Sequence, residues 1–171
     1  SKDRMNLGLK NIVVAGGPCV CNPEPIADFI DIFFVGEGEE VDMEVMELYR
    51  QCRDENVSRE EFLIRVSKIK GCYVPSLYDV TYNEDGTVKA VTPNHGAPKK
   101  IEKRLMMNMD ESYYPDNFVV PNTEIVHDRA MQEIFRGCIR GCRFCQAGFL
   151  YRPVREKSPE TINKQCHDLC N

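Results

Sequence analysis

The stretch NIVVAGGPCVCNPEPIADFIDIFFVGEGEE, residues 11–40, alternates short apolar runs with glycine-rich turns. Its two apolar runs, NIVVA (Asn11–Ala15) and DIFFV (Asp31–Val35), are rich in β-branched or aromatic residues, which is typical of buried strands. The sequences GGP and GEG follow these runs directly and indicate tight turns. Between the runs, a proline placed just inside a predicted first turn indicates a short helix over Pro25–Phe29.

Two further helices are predicted after this stretch. Helical spacing of apolar residues predicts a helix over Glu39–Glu55, with Val41, Val45, Leu48 and Cys52 on one face. Ser58 is a predicted N-cap for the next helix, which has two glutamates in its first turn and runs to about Lys70. The order strand, helix, strand, helix indicates an α/β fold with a parallel sheet.

The middle of the chain has a different pattern. YDVTY (Tyr78–Tyr82) and TVKAV (Thr87–Val91) flank the turn residues NEDG, which predicts a β-hairpin. Many prolines and charges follow, so residues 71–121 are interpreted as a β-rich connector between the first region, 1–70, and the last, 122–171.

In the last region, AMQEIF (Ala130–Phe135) is predicted to be a strand that leads into a cysteine-rich loop. Ser158 is predicted to cap a final helix that reaches the chain end. One strand, one loop and one helix cannot bury a core, and two parallel strands are too few for a doubly wound sheet. We therefore expect the chain to be a fragment of a longer protein, truncated at both ends.

The composition excludes several classes of protein. The chain has 171 residues, 42% of them hydrophobic, and a net charge of −5, so it gives no evidence for a nucleic-acid-binding surface. No apolar run approaches the roughly 20 residues that span a bilayer, and the N-terminus lacks the apolar core of a signal peptide. We expect a cytoplasmic protein without a membrane segment.

The chain has nine cysteines. Their odd number argues against a complete disulfide framework, and in a reducing compartment clustered thiols more often bind metal or take part in chemistry. Three of them lie in FRGCIRGCRFCQAGF (Phe135–Phe149), with the spacing Cys138-x3-Cys142-x2-Cys145. This spacing would also fit one face of a helix, but three glycines here destabilise a helix by about 1 kcal/mol each relative to alanine. A loop is the better interpretation.

Two kinds of metal site remain open for this loop. Structural zinc takes four ligands, so a non-enzymatic zinc module would need a fourth ligand besides the three cysteines. The closest candidates are Cys166 and Cys170 on the predicted last helix, with His167 between them, and Cys166 is the one that this alternative names. Three ligands would instead suit a centre that keeps one position open. Neighbouring cations favour the thiolate form that binds metal, and these are supplied by Arg136, Arg140 and Arg143, with Arg129, Arg152, Arg155 and Lys157 further out.

The motif C-x3-C-x2-C with an aromatic residue, Phe144, before its last cysteine resembles that of the radical S-adenosylmethionine enzymes. The resemblance implies that Cys138, Cys142 and Cys145 bind three irons of a [4Fe–4S] cluster, whose fourth iron takes S-adenosylmethionine. Reduction by an electron donor would then cleave S-adenosylmethionine to a 5′-deoxyadenosyl radical. It also implies that Phe144 packs beside the adenine and that the loop follows the first strand of a partial TIM-type (β/α) barrel.

A second resemblance concerns the first region. Residues 15–40 are similar to the C-terminal half of the Rossmann-like cobalamin-binding domain that precedes the barrel in one branch of these enzymes. The corresponding glycine-rich turns contain Gly16 and Gly17, and then Gly36, Glu37, Gly38 and Glu39. Members of the branch sometimes keep the fold without the cofactor, so the resemblance implies cobalamin only as an optional ligand.

The order of motifs is similar to that of an uncharacterised bacterial family of cobalamin-binding-domain radical S-adenosylmethionine proteins, described as iron–sulfur oxidoreductases. The matching segments are Gly137–Gly148 and Tyr151–Glu156. The resemblance implies methyl transfer, methylthiolation or another radical rearrangement, on a substrate that the sequence does not identify. His127, just before the predicted strand, is interpreted as structural, with a place near the site as the alternative.

Overall fold

The computed structural model describes residues 6–115, 122–124, 126, 129 and 131–170. The chain forms two compact units, Ser1–Leu105 and Met106–Asn171. Both combine short strands with helices, and the architecture is mixed α/β with small sheets, consistent with the predicted class. No helix in the described ranges is both long and apolar enough to span a bilayer.

The first unit contains a sheet of three very short strands. Strand β1 (Val14–Ala15) is parallel to β2 (Ile32–Phe34), which confirms the parallel pair predicted from residues 11–40. Strand β3 (Cys72–Tyr73) adds to the other side of β2 in the antiparallel direction. The third strand was not predicted, because two residues are too few to show a periodicity.

Two helices cover this sheet. Helix α1 spans Gly38–Asp54, and helix α2 spans Arg59–Val66, where the hydroxyl of Ser58 accepts a hydrogen bond from the backbone N–H of Glu61 at 3.2 Å. The predicted cap is thus confirmed, although α2 ends four residues before Lys70 in a run of turns. The buried side chains of both helices form the core together with Ile32: Val41, Val45, Cys52, Phe62, Leu63 and Val66.

The predicted hairpin is present in the first unit. Strand β4 (Tyr78–Tyr82) pairs with β5 (Val88–Pro93) in the antiparallel direction. In the turn, the carboxylate of Asp85 accepts hydrogen bonds from the backbone N–H and the hydroxyl of Thr87 at 3.0 and 2.7 Å. These bonds lower the pKa of Asp85 and fix the turn.

Within its described residues, the second unit has a two-stranded sheet and two α-helices. Strands β6 (Phe135–Arg136) and β7 (Arg155–Glu156) are antiparallel, helix α3 spans Ala147–Leu150, and helix α4 spans Pro159–Cys170. The prediction of a strand over residues 130–135 is wrong in its extent, because residues 131–134 are irregular and position 130 lies outside the described residues. The strand begins only where β7 supplies a partner for its backbone.

The N-terminus of α4 is capped as predicted. The hydroxyl of Ser158 accepts a hydrogen bond from the backbone N–H of Thr161 at 3.2 Å. The backbone N–H of Ser158 donates in turn to the carboxylate of Asp110 at 2.7 Å, which is the main cause of the lowered pKa of Asp110. The final helix is therefore fixed to the segment at the start of its own unit.

Candidate metal centre

The three cysteines of the C-x3-C-x2-C motif lie on one loop that leaves β6 and ends at α3. Cys138 and Cys145 are partly buried, Cys142 is exposed, and all three thiols are free. The backbone N–H of Cys145 donates to the carbonyl of Cys142 at 3.1 Å, so the last two cysteines share a tight turn. The segment is a loop, as its glycines predicted, and not a helix.

The thiols are not gathered into a preformed ligand set. Among the residues that the structure describes, no group of three or more histidine, cysteine, aspartate or glutamate side chains could hold a metal ion as placed. The donor chemistry fits an iron–sulfur cluster, because such clusters are held by cysteine thiolates and these three thiols share one accessible loop. To bind one, the loop would have to turn its side chains towards a common point.

Two glycines position the loop. Gly137, the first residue after β6, has φ 103°, and a Cβ there would lie 2.6 Å from the carbonyl oxygen of Pro153 and 2.9 Å from that of Tyr151. On α3, a Cβ at Gly148 would lie 3.6 Å from the carbonyl oxygen of Cys138. Residues 151–154 therefore pack tightly against Gly137, the first residue of the loop. Helix α3 packs against the loop at ordinary van der Waals distance.

The basic residues around the loop have different roles. Arg140 and Arg143 are exposed on the loop itself. Arg136 instead forms a bidentate ion pair with Glu133, in which its Nε and Nη2 each donate to a carboxylate oxygen at 2.8 Å. The guanidinium of Arg152 lies over the ring of Phe149, 5.5 Å from its centroid. The exposed members of the predicted basic cluster are therefore Arg129, Arg140, Arg143 and Arg152.

Two basic residues of the predicted cluster are buried instead. Arg155 is 6% exposed and Lys157 is 5% exposed. The ammonium group of Lys157 donates to the side-chain oxygen of Gln165 at 3.0 Å and lies 4.8 Å from the centroid of the Tyr114 ring. Both residues therefore stabilise the fold of the unit and do not contribute exposed charge.

The remaining residues predicted near this site are placed as follows. Phe144 is 92% exposed, so its ring has no packing in the chain that would compete with a ligand. Cys166, the candidate fourth zinc ligand, is partly buried on α4 and does not join the three loop cysteines in a group that could hold a metal. The interpretation of His127 concerns a residue outside those that the structure describes.

The first glycine-rich turn of the first unit is open. Gly17 has φ 92°, which favours glycine, and nothing lies within 4 Å of the position of a Cβ there. At Gly16 the nearest atom to such a Cβ is the Cβ of Phe34, at 4.0 Å. The turn therefore presents bare backbone just after the parallel strand β1.

The second glycine-rich turn is covered by the chain itself. The backbone N–H of Arg104 donates to the carbonyl of Val35 at 2.8 Å, and its carbonyl accepts from the N–H of Glu37 at 3.0 Å. The Arg104 side chain binds the carboxylates of Glu40 and Glu44 at 2.8 and 2.6 Å, which raises the pKa of Arg104. The sequence offered no signal for this arginine, because it lies far along the chain from the motif.

Comparison with known proteins finds a matching family model and an archaeal relative. Residues 1–75 match the family model described as "Radical SAM proteins, N-terminal". The chain is also 34% identical over 146 residues to "Uncharacterized protein MJ0966" of Methanocaldococcus jannaschii; the alignment covers 84% of this chain and 25% of the archaeal protein. The chain thus spans a quarter of the length of this relative. No solved structure matches the chain significantly. The family-model match supports the radical S-adenosylmethionine superfamily.

Proposed function

We propose that this chain is part of a radical S-adenosylmethionine iron–sulfur enzyme and that Cys138, Cys142 and Cys145 hold three irons of its [4Fe–4S] cluster. The observation that carries the proposal is the single loop with three free thiols, of which Cys142 is exposed and the other two are partly buried. The family match supports it independently, because it lies in residues 1–75 and does not include the loop. When bound, the cluster and S-adenosylmethionine would supply the chemistry: reductive cleavage of S-adenosylmethionine to a 5′-deoxyadenosyl radical.

The chain's own residues would have simpler tasks. Gly137 would give the backbone room to leave β6, and the exposed Arg140 and Arg143 would offset the negative charge of a bound cluster and its thiolate ligands. The bare ring of Phe144 would pack beside the adenine of S-adenosylmethionine. The same exposed arginines would face an electron donor.

We further propose that residues 1–70 are the C-terminal part of a Rossmann-like cobalamin-type domain and that residues 122–171 begin a partial (β/α) barrel, with residues 71–121 between them. The open turn at Gly16 and Gly17 is where the tail of a cobalamin would approach. The turn of Gly36, Glu37 and Gly38 is covered by the backbone of Arg104. Its role would therefore be to hold Arg104 in place. A cytoplasmic location completes the proposal.

The chain would act as one part of a larger enzyme. This proposal rests on the share of the archaeal relative that the chain covers, 25%. The 171-residue chain by itself should then assemble the cluster without cleaving S-adenosylmethionine at enzyme-like rates. The substrate would be bound by parts of the enzyme beyond those described above.

The test is anaerobic reconstitution of the purified chain with iron and sulfide. We expect a reducible cluster whose electron paramagnetic resonance spectrum changes when S-adenosylmethionine is added. Serine at any one of Cys138, Cys142 and Cys145 should abolish the spectrum, whereas serine at Cys19 or Cys21, which are exposed in the first unit, should not. Stable, colourless binding of one zinc, with no response to S-adenosylmethionine, would favour the zinc module instead.

A further inference from the structure

The segment that follows α3 returns to β6 and packs against the start of the cysteine loop. We call residues 151–156 the return segment; its last two residues form β7. A Cβ at Gly137 would meet three atoms of its backbone, the carbonyl oxygens of Pro153 and Tyr151 at 2.6 and 2.9 Å and the Cα of Val154 at 2.8 Å. No side chain fits between the loop and this segment, so the two backbones are in direct contact.

Arg155 donates hydrogen bonds to the two carbonyl oxygens of this set. Its Nε donates to the carbonyl of Pro153 at 3.0 Å, and its Nη2 donates to the carbonyl of Tyr151 at 3.3 Å. Its Nη1 donates to the carbonyl of Met106 at 2.8 Å, which ties the return segment to the first residue of the unit. A buried charge is tolerated only when it is hydrogen-bonded, and backbone carbonyls supply those bonds here.

The two observations concern the same pair of carbonyl groups. The oxygens of Tyr151 and Pro153 accept hydrogen bonds from Arg155 and also form the surface on which Gly137 rests. The planar guanidinium presents donors in a fixed fork, so it sets the spacing of the two carbonyls. Gly137 is also the residue at which the backbone leaves β6, one residue before Cys138.

We propose that Arg155 is a positioning residue for the cysteine loop: it fixes the carbonyls of Tyr151 and Pro153 against Gly137 and so directs Cys138 as the loop leaves β6. Its significance for a cluster rests on the proposed function, whereas its effect on the loop does not. Arg155 acts through the return segment.

The first experiment compares Arg155→Lys with Arg136→Lys in the 171-residue chain. Both variants keep the positive charge. Arg136 and Arg155 are register partners in the β6–β7 ladder, but the side chain of Arg136 forms an ion pair with Glu133. The readout is the alkylation rate of Cys138 by iodoacetamide, measured by peptide mass spectrometry against Cys19 as internal reference. Hydrogen exchange of α4 checks that the unit stays folded.

We expect Arg155→Lys to raise the alkylation rate of Cys138 about tenfold, because losing hydrogen bonds from a charged donor releases the loop. Arg136→Lys should leave the rate unchanged. Gly137→Ala should reproduce the increase, since its Cβ displaces the same two carbonyls. The double variant Gly137→Ala/Arg155→Lys should then add little to either single change.

Equal Cys138 rates in the wild type and Arg155→Lys, with α4 protected in both, would overturn the positioning role. Loss of α4 protection in Arg155→Lys, with the Gly137→Ala rate unchanged, would also overturn it, since Arg155 would then serve only the fold. If the wild-type chain assembles no iron cluster but Arg155→Lys still raises the Cys138 rate, the proposed function fails and the positioning role stands. Where a cluster does form, Arg155→Lys should lower the iron bound per chain and Arg136→Lys should not.

Discussion

Gly36 and the backbone of Arg104 are in direct contact. A Cβ at Gly36 would lie 2.1 Å from the carbonyl oxygen of Arg104 and 2.6 Å from its nitrogen. Gly36 also has φ 118°, a conformation that other residues rarely adopt. The turn between β2 and α1 therefore accepts only glycine at this position, whether or not a ligand ever approaches it.

Gly36→Ala should destabilise the first unit strongly. The new methyl group would displace the Arg104 segment, and with the unfavourable backbone conformation we expect a loss of about 2–4 kcal/mol in the free energy of unfolding. Urea unfolding followed by circular dichroism measures the change. Gly16→Ala is the matched control, since a Cβ there meets only one atom, at 4.0 Å. Equal losses in the two variants would contradict the role given to Arg104.

Asp31→Asn should also destabilise the first unit. The Asp31 carboxylate is 7% exposed, accepts a hydrogen bond from the backbone N–H of Val13 at 2.8 Å, and pairs with Arg59 at 2.6 Å. An amide loses the charge that balances Arg59, which should cost about 2 kcal/mol in the free energy of unfolding. Asp54→Asn, at an exposed pair with Arg53, should cost less than about 0.5 kcal/mol.

A double variant separates the free energy of the Asp31–Arg59 interaction from the other effects of the two substitutions. Arg59→Met should destabilise the chain, and Asp31→Asn/Arg59→Met should cost less than the sum of the two single changes, because the second change removes a charge already left without its partner. Simple additivity of the measured free energies would show that the two side chains do not interact.

The elements that the sequence predicted are those with local signals. The apolar runs around Val14 and Phe33, the helical spacing of Val41 and Val45, and the Ser58 cap each lie within one element, where periodicity and capping rules apply. Even so, the strands are shorter than their apolar runs, because a strand extends only as far as its neighbour offers backbone groups. Local patterns predicted the class of element but not its exact ends.

The contacts that the sequence missed join distant residues. Arg104 reaches Gly36 across 68 positions of the numbering, a separation that no local pattern encodes. Likewise, β7 follows a loop and a short helix before it pairs with β6, and its two residues show no alternation. Of the candidate site, the sequence therefore predicted that the three cysteines lie on one loop, but it predicted neither the burial of Arg155 nor its contacts.

Cys72 should make the first unit sensitive to alkali. Burial raises the pKa of its thiol from 9.0 to about 12, so above pH 9.0 the unfolded chain loses a proton that the folded chain keeps. Its contribution to stability is complete below that pH and is lost as the pH rises towards about 12. Stability should fall by up to about 1.4 kcal/mol per pH unit in this window.

The variant that isolates this effect is Cys72→Ala. Burial also raises the pKa of Tyr73 and Tyr78, so the variant should reduce the slope of unfolding free energy against pH without removing it. Urea unfolding at a series of alkaline pH values measures that slope. An unchanged slope in Cys72→Ala would mean that the thiol ionises equally in the folded and unfolded chains. Cys19→Ala, at an exposed thiol, is the control.

Phe144→Ala tests the proposed adenine contact without disturbing the fold. The ring is 92% exposed, so its removal should change the free energy of unfolding by less than about 0.5 kcal/mol. Under the proposed function, the reconstituted cluster should still form, but the S-adenosylmethionine concentration needed to change its spectrum should rise about tenfold, the worth of one base–aromatic stacking contact. Ile139→Ala, at a residue of the same loop that is 79% exposed, should leave that concentration unchanged. If both variants weaken the response equally, the loss reflects the loop as a whole, and Phe144 has no specific contact with the adenine.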